Sequence, residues 1–152
     1  MNYHGIQKTT FNNGEGIRVA LWVAGCNHFC KGCHNPYTWN EKGGQKFDED
    51  AKEELFRALD RTWCDGLTLT GGDPLLPSNR RDITKLAKEV KARFPDKNIW
   101  VYTGSRYEEV KDLELMQYID VLVDGEFVEE LADPTYKFAG STNQRIIKVK
   151  ER

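Results

Sequence analysis

The sequence predicts an α/β domain built around a mostly parallel sheet. Four apolar runs typical of strands alternate with stretches of helical periodicity, and the loop after each run is rich in Gly, Thr or Asp. The 152 residues suit a single domain, residues 1–152, whereas a full eight-unit barrel needs roughly 250 residues. We therefore expect a partial, open barrel with ligands bound beyond the carboxyl ends of the strands.

The predicted strands and helices follow each other in regular alternation. Buried strands are predicted at residues 17–24, 67–70, 99–103 and 119–123, with a half-exposed edge strand near residues 147–149. Asp48 can cap the first helix, and Ser78 or Asn79 can begin the second. Ser105 and Glu108 have capping-box spacing, which predicts a third helix that continues to about residue 116.

Composition and charge argue against several classes of function. The chain has 22 Lys and Arg against 24 Asp and Glu, so no basic excess favours nucleic acid. The longest purely apolar stretch, Val19 to Ala24, is far shorter than a membrane span, and the N-terminus lacks the features of a signal peptide. Three of the four cysteines are clustered, which fits a reducing compartment. We therefore expect a cytoplasmic protein that binds neither nucleic acid nor membranes.

Three cysteines in the loop after the first predicted strand are the strongest functional signal. Cys26, Cys30 and Cys33 form a C-x3-C-x2-C triplet, and three thiolates this close in sequence can converge on one metal centre. His28 or His34 could complete a tetrahedral zinc site of the Cys3His type. Alternatively, a cubane 4Fe–4S cluster held by three cysteines keeps one iron free for another ligand. The triplet alone leaves both alternatives open.

A glycine-rich turn, Gly71-Gly72-Asp73-Pro74, follows the second predicted strand. Its glycines allow a ligand to approach the main chain closely, and the proline fixes the direction in which the chain leaves. The carboxyl ends of parallel strands meet at one edge of a sheet. This turn, the cysteine loop and the turn at residues 103–104 should therefore lie together, which favours a ligand site over an ordinary connection.

The cysteine triplet after one strand and a GG-acidic-P turn after the next resemble radical S-adenosylmethionine (SAM) enzymes. Further stretches narrow the resemblance to the activating proteins of anaerobic ribonucleoside-triphosphate reductase, a family within that superfamily. These stretches lie throughout the chain: residues 2–4 (NYH), 13–18 (NGEGIR), 33–35 (CHN), 70–75 (TGGDPL), 100–104 (WVYTG), 122–127 (LVDGEF) and 140–145 (GSTNQR). The fold implied by the resemblance is a single partial, open (β/α) barrel of the radical SAM type.

The resemblance also implies a pair of cofactors and the residues that hold them. One 4Fe–4S cluster per chain would be bound by the three cysteines, and SAM would chelate its free iron. Contacts to SAM are implied beside the third cysteine and in the turn after the second strand, at Gly32, Cys33, His34, Gly71, Gly72 and Asp73. Two positions depart from the superfamily pattern: many members have an aromatic residue at the position of Gly32, and Glu is more common at that of Asp73.

The activity implied is the generation of a glycyl radical on the reductase. A flavodoxin- or ferredoxin-type donor would reduce the cluster, SAM would be cleaved to methionine and a 5′-deoxyadenosyl radical, and this radical would take hydrogen from a glycine. No catalytic residue beyond the cluster and the cofactor is expected. Two alternatives are an activase of another glycyl-radical enzyme and, in a different class, a zinc-stabilised binding module.

Several residues have no role that the sequence assigns. Arg18, Arg106 and Arg145 could contact a carboxylate of the cofactor or of the partner, although ion pairing is the simpler expectation for each. Cys64 is expected to be a small buried residue at a helix end. Trp39, just after the cysteine loop, could shield a cluster from water.

Overall fold

The computed structural model describes residues 1–28, 30–33 and 39–149. In these ranges the strands are β1 Asn2–Thr10, β2 Arg18–Val23, β3 Gln45–Lys46, β4 Gly66–Gly71, β5 Asn98–Tyr102, β6 Val121–Asp124 and β7 Arg145–Lys148. The helices are α1 Glu49–Leu59, α2 Pro77–Arg93 and α3 Tyr107–Val110, with 3₁₀ turns at Glu114–Gln117 and Glu129–Leu131. Among these helices, none has the length and apolar character needed to cross a membrane.

One sheet joins the strands of the described chain in the order β3-β1-β2-β4-β5-β6-β7. The central strands β2, β4, β5 and β6 are parallel, whereas β1, β3 and β7 pair antiparallel to their neighbours. The α/β class is therefore confirmed, and β7 confirms the predicted edge strand. The expectation of a mostly parallel sheet holds for the centre alone, because half of the pairings between described strands are antiparallel.

The elements with strong local signals lie where the sequence places them. Each of the four predicted buried strands is present within two residues of its expected ends, as β2, β4, β5 and β6. Asp48 caps α1 as predicted, because its side chain accepts a hydrogen bond of 2.9 Å from the backbone N–H of Ala51. The second helix begins slightly earlier than expected, at Pro77, a residue whose fixed φ suits the first helical position.

The first strand and the third helix differ from the expectations. β1, which the sequence did not indicate, is polar and only half buried, so it carries no apolar run to mark it. The third helix is far shorter than the predicted span of residues 105–116, since only Tyr107–Val110 is α-helical. Burial of Leu115 and Met116 beside α2 requires a separate 3₁₀ turn, so tertiary packing overrides the local pattern.

The capping of α3 also differs from the prediction. Arg106 rather than Ser105 precedes the helix, and its backbone N–H donates a hydrogen bond of 2.8 Å to Glu109. The backbone N–H of Tyr107 donates to the carboxylate of Asp124 at 2.7 Å. The start of α3 is therefore held both by the capping hydrogen bond between Arg106 and Glu109, one residue later than predicted, and by the end of β6.

The two faces of the sheet have different chemistry. Alternate residues of β2 and β4, such as Leu21 and Leu69, are fully buried in one apolar core with residues of α1 and α2 such as Leu55 and Ile83. This burial is the main stabilising force of the fold. The opposite face carries polar and aromatic residues instead, such as Trp22, Thr70 and Tyr102. These three residues line a cleft on that face.

Arg18 anchors the amino-terminal end of this second face. Its guanidinium is completely buried and donates to Thr68 Oγ1 at 2.7 Å, Leu67 O at 2.8 Å and Asn98 Oδ1 at 2.6 Å. The centre of the guanidinium lies 5.4 Å from the centroid of the Trp100 ring. Burial lowers the pKa of Arg18 to about 10. Its described acceptors are neutral, so the ion pair expected for Arg18 is not seen among them. Arg18 also lies at the amino-terminal end of the parallel strands, away from the cysteine loop at their carboxyl ends.

Arg145 and Asp124 connect β7 to β6 through an ion pair. Asp124 is 1% exposed, and its carboxylate accepts from Arg145 at 2.5 and 3.1 Å. Arg145 also lies 2.9 Å from Glu108, whose side chain is 57% exposed. The ion pairing expected for Arg145 is confirmed, whereas Arg106 is exposed.

We expect Arg145→Met to lower the free energy of unfolding by about 2 kcal/mol, because it leaves the buried Asp124 carboxylate without its cationic partner. Glu108→Gln is the matched control, since it removes the charge of the exposed partner of the same arginine and should change the free energy of unfolding much less. Anaerobic urea titration followed by circular dichroism measures both values. An equal decrease in the free energy of unfolding in the two variants would contradict the claim that the buried Asp124 is the partner that matters for stability.

Candidate metal centre

The cysteine loop begins directly after β2, at the carboxyl end of the parallel strands. The backbone N–H of Cys26 donates to Trp39 O at 3.1 Å, and that of Cys33 donates to Cys30 O at 3.1 Å. The three cysteines line one cavity of about 140 Å³. Trp39 lines the same cavity, where a cluster would need shielding.

The turn after β4 lies against the end of β2. Gly71 has φ +120°, and a Cβ at this position would lie 2.5 Å from backbone atoms of Val23, so only glycine fits. Gly72 N–H donates to Val23 O at 3.0 Å, and Asp73 N–H donates to Gly25 O at 2.6 Å. These bonds place Gly71 and Gly72 beside the cysteines, where both line the same cavity.

The carboxylate of Asp73 is buried and points into the protein. Asp73 as a whole is 1% exposed. Its carboxylate accepts hydrogen bonds from Thr103 Oγ1 at 2.8 Å, from Gly104 N–H at 3.1 Å and from Leu75 N–H at 2.8 Å. Its oxygens are therefore occupied by groups of the turns after β4 and β5. Asp73 connects the loops of this edge to each other.

His28 completes the surroundings of Asp73. Its Nε2 lies 2.6 Å from Asp73 Oδ2, and its Nδ1 lies 2.9 Å from Glu126 Oε2. The hydrogen bond to Asp73 raises the pKa of His28 above its ordinary value; burial opposes this shift, and Glu126 adds to it. The arrangement therefore favours an imidazolium that donates a hydrogen bond from each ring nitrogen.

The segment after β6 closes another side of the cavity. Burial raises the pKa of the Cys30 thiol, and a hydrogen bond from the backbone of Phe127 opposes this effect. Hydrogen bonds to sulfur are among the means by which a protein tunes a cluster. Gly32 has φ +73°, and a Cβ there would lie 3.0 Å from the carboxylate of Glu129. An aromatic residue in place of Gly32 would therefore be strained by the positive φ, and the exposed Glu129 side chain would have to move aside.

A larger cleft borders the cavity on the polar face of the sheet. Its volume is about 850 Å³, and its walls include Trp22 and Tyr102 from the sheet together with a segment at residues 134–140. Cys33, Thr70 and Phe127 line both spaces. The Tyr102 hydroxyl donates to Phe138 O at 2.6 Å, which holds the segment across the sheet.

The three thiols among the described residues fit the ligand set of an iron–sulfur cluster. In the part of the chain that the structure describes, no three His, Cys, Asp or Glu side chains are arranged to hold one metal ion. Both ring nitrogens of His28 face carboxylates, so this residue does not complete a Cys3His tetrahedron. A cubane cluster takes one thiolate on each of three irons, so its cysteines surround a volume and not a point. The cysteine-lined cavity has that form.

The residues that the sequence analysis selected fall into three groups. Cys26, Cys30, Cys33, Gly71 and Gly72 line the cavity together. Asp73 and Gly32 lie next to it, and His34 lies outside the described residues. Cys64 is 4% exposed in the apolar core, as predicted.

Sequence reasoning missed the contact between His28 and Glu126, and it missed several lining residues of the cavity, among them Gln144. Glu126 and Gln144 belong to the stretches LVDGEF and GSTNQR, which the sequence analysis singled out without giving these side chains a role. Gln144 Nε2 donates to Gly125 O at 3.0 Å, and its Oε1 accepts from Gly140 N–H at 2.8 Å. Polar residues within those stretches were the available signal.

An α/β domain with three cysteines around one cavity has the construction of an iron–sulfur protein, and residues 12–147 match the family of 4Fe-4S single cluster domains. Relatives named "Anaerobic ribonucleoside-triphosphate reductase-activating protein" occur in Enterobacteria phage T4 (49% identity over 96% of this chain and 93% of the relative), Vibrio cholerae (42%, 96% and 97%) and Escherichia coli K12 (41%, 95% and 96%). The chain belongs to the family of these activating proteins.

Replacement of one cavity cysteine should release iron. We expect anaerobically reconstituted wild-type protein to hold about four irons per chain. Cys30→Ser should lose most of this iron, since a hydroxyl is a poorer ligand for iron than a thiolate. Cys64→Ala is the matched control, because Cys64 is buried elsewhere, in the apolar core. Iron and sulfide analysis with visible absorption measures the outcome, and a Cys30→Ser protein with full iron would contradict the assignment.

Proposed function

We propose that this protein activates an anaerobic ribonucleoside-triphosphate reductase by generating a glycyl radical on it, as a radical SAM enzyme. The observation that carries the proposal is the shared cavity of the three cysteines and the Gly71-Gly72 turn, next to a cleft of about 850 Å³. The names of the relatives and the 4Fe-4S family support it. In this proposal residues 1–152 form one radical SAM domain with a partial, open barrel.

In this proposal the cofactors would supply the chemistry, and the residues of this chain would hold the cofactors in place. A 4Fe–4S cluster held by the cysteines would, when reduced, supply the one-electron reductive cleavage of SAM, and hydrogen would then be taken from a glycine of the reductase. We assign the cluster to Cys26, Cys30 and Cys33. The half-buried backbone of Gly71 and Gly72, which lines the cavity, would contact the methionyl amino group.

The remaining cofactor contacts are proposed around the third cysteine. Gly32, Cys33 and His34 would line the adenine side of SAM. Asp73 would take part through its place in the turn, since its carboxylate oxygens already accept hydrogen bonds from Leu75, Thr103 and Gly104. The chain itself therefore positions the cofactor and excludes water, and it needs no acid–base group for the reaction.

Two external partners follow from this chemistry. A flavodoxin- or ferredoxin-type protein would deliver the electron. The reductase would present its glycine in the large cleft, whose aromatic and polar walls suit a segment of polypeptide. We place the reaction in the cytoplasm, where thiols stay reduced.

Reduced protein mixed with SAM and the reductase should produce 5′-deoxyadenosine and a glycyl radical that is detected by electron paramagnetic resonance (EPR). Samples without SAM serve as the control. SAM cleavage that gives a glycyl radical on another glycyl-radical enzyme, but none on this reductase, would support the proposed chemistry and show that the partner is a different enzyme. A colourless protein with one zinc per chain would overturn the proposal and favour the binding module.

A bulky residue in the cleft should separate cofactor cleavage from radical transfer. Ala139 lines the large cleft and is absent from the walls of the cysteine cavity. Ala139→Trp should lower the glycyl radical yield about tenfold or more by displacing the polypeptide, while SAM cleavage continues. Ala92→Trp, on the exposed surface of α2, is the control for bulk. An unchanged radical yield in Ala139→Trp would exclude this cleft as the polypeptide site.

A further inference from the structure

His28 joins the cysteine loop to two other loops of the strand-end edge. In sequence it lies between Cys26 and Cys30. Its ring nitrogens lie 2.6 Å from Asp73 and 2.9 Å from Glu126. Asp73 follows β4 and Glu126 follows β6, so one imidazole ring bridges three loops.

We propose that His28 is a positioning residue that fixes the cysteine loop, and with it the cluster, against the turn after β4. The part that concerns SAM rests on the proposed function, in which SAM contacts both the cluster and the backbone of Gly71 and Gly72. A ligand that makes both contacts requires a constant separation between the loop and the turn. His28 sets this separation through Asp73, the residue that follows Gly72.

Asp73 is a rigid anchor and Glu126 is not. The Asp73 carboxylate is held by the backbone N–H of Leu75, the Thr103 hydroxyl and the backbone N–H of Gly104, so it cannot follow a movement of the cysteine loop. The Glu126 side chain is 53% exposed, and solvent weakens its interaction with His28. The Nε2 bond to Asp73 therefore holds the loop, and the Nδ1 bond to Glu126 adds less.

The turn after β5 leaves space for the ring of His28. A Cβ at Gly104 would lie 2.5 Å from His28 Cδ2 and 2.7 Å from Nε2. Gly104 has no positive φ that would exclude alanine, and alanine retains the N–H that donates to Asp73. Gly104→Ala would therefore displace His28 and remove none of the hydrogen-bonding groups around it.

Four variants of the full chain test the proposal. His28→Gln keeps a donor at the position of Nε2, toward Asp73, and His28→Asn keeps one at the position of Nδ1, toward Glu126. Gly104→Ala displaces the ring, and Gly5→Ala, whose Cβ would have no neighbour within 4 Å, is the control. Each reconstituted protein is assayed for iron per chain, for the rate of iron loss to a chelator, and for the EPR spectrum of the reduced cluster during SAM titration.

We expect His28→Asn and Gly104→Ala to lose iron about tenfold faster than wild type, the lower end of the range for mutations that disturb the surroundings of a metal site. In both variants the SAM-dependent change in the EPR spectrum should require a higher SAM concentration. His28→Gln and Gly5→Ala should resemble wild type in both measurements. Rescue by glutamine but not by asparagine identifies the bond to Asp73, which general destabilisation would not do.

Wild-type iron loss and SAM titration in His28→Asn would overturn the proposal, as would equal losses in the Gln and Asn variants. Far-UV circular dichroism establishes that each variant is folded, and Gly104→Ala decides the matter if His28→Asn does not fold. A wild-type cluster whose spectrum does not respond to SAM would overturn the proposed function instead. In that case the rates of iron loss in the variants and in wild type would still test whether His28 fixes the position of the cysteine loop.

Discussion

The buried carboxylate of Asp73 is the interaction on which the arrangement of the site depends. A charge without exposure to water is tolerated only where hydrogen bonds replace its hydration. Its bonds come from Leu75, Thr103, Gly104 and His28, which belong to three different loops. Movement of one of these loops would leave the carboxylate partly unsatisfied, so the loops keep a common position. The strand-end edge is thus a rigid frame for the cysteines.

The sheet divides stability and function between its two ends as well as its two faces. At the amino-terminal end, the buried Arg18 connects β2, β4 and β5 through neutral acceptors. At the carboxyl end, the loops provide thiols, exposed backbone and charged groups around a cavity. Arg18 fills the amino-terminal end of the polar face with its own side chain and needs no ligand there. The rest of the polar face forms the large cleft.

Much of the fold and half of the site follow from local sequence signals. Apolar runs locate β2, β4, β5 and β6, and parallel topology then brings the cysteines and the glycine turn to one edge. The bond between His28 and Asp73 joins residues 45 positions apart, and that to Glu126 spans 98 positions. Such pairs depend on the packed sheet, so no local pattern reveals them. The overestimated third helix fails for the same reason, since Leu115 is buried beside α2.

The residues at positions 73 and 32, where the sequence departs from the radical SAM pattern that it resembles, are consistent with this frame. A glutamate in place of Asp73 would carry its carboxylate one methylene further, away from the backbone N–H of Leu75 that lies only two residues ahead. The short aspartate can accept within its own turn and still reach Thr103 and His28. An aromatic residue in place of Gly32 would be strained at φ +73°. Neighbouring groups of this chain therefore favour aspartate at position 73, and the backbone conformation favours glycine at position 32, in addition to any cofactor these residues face.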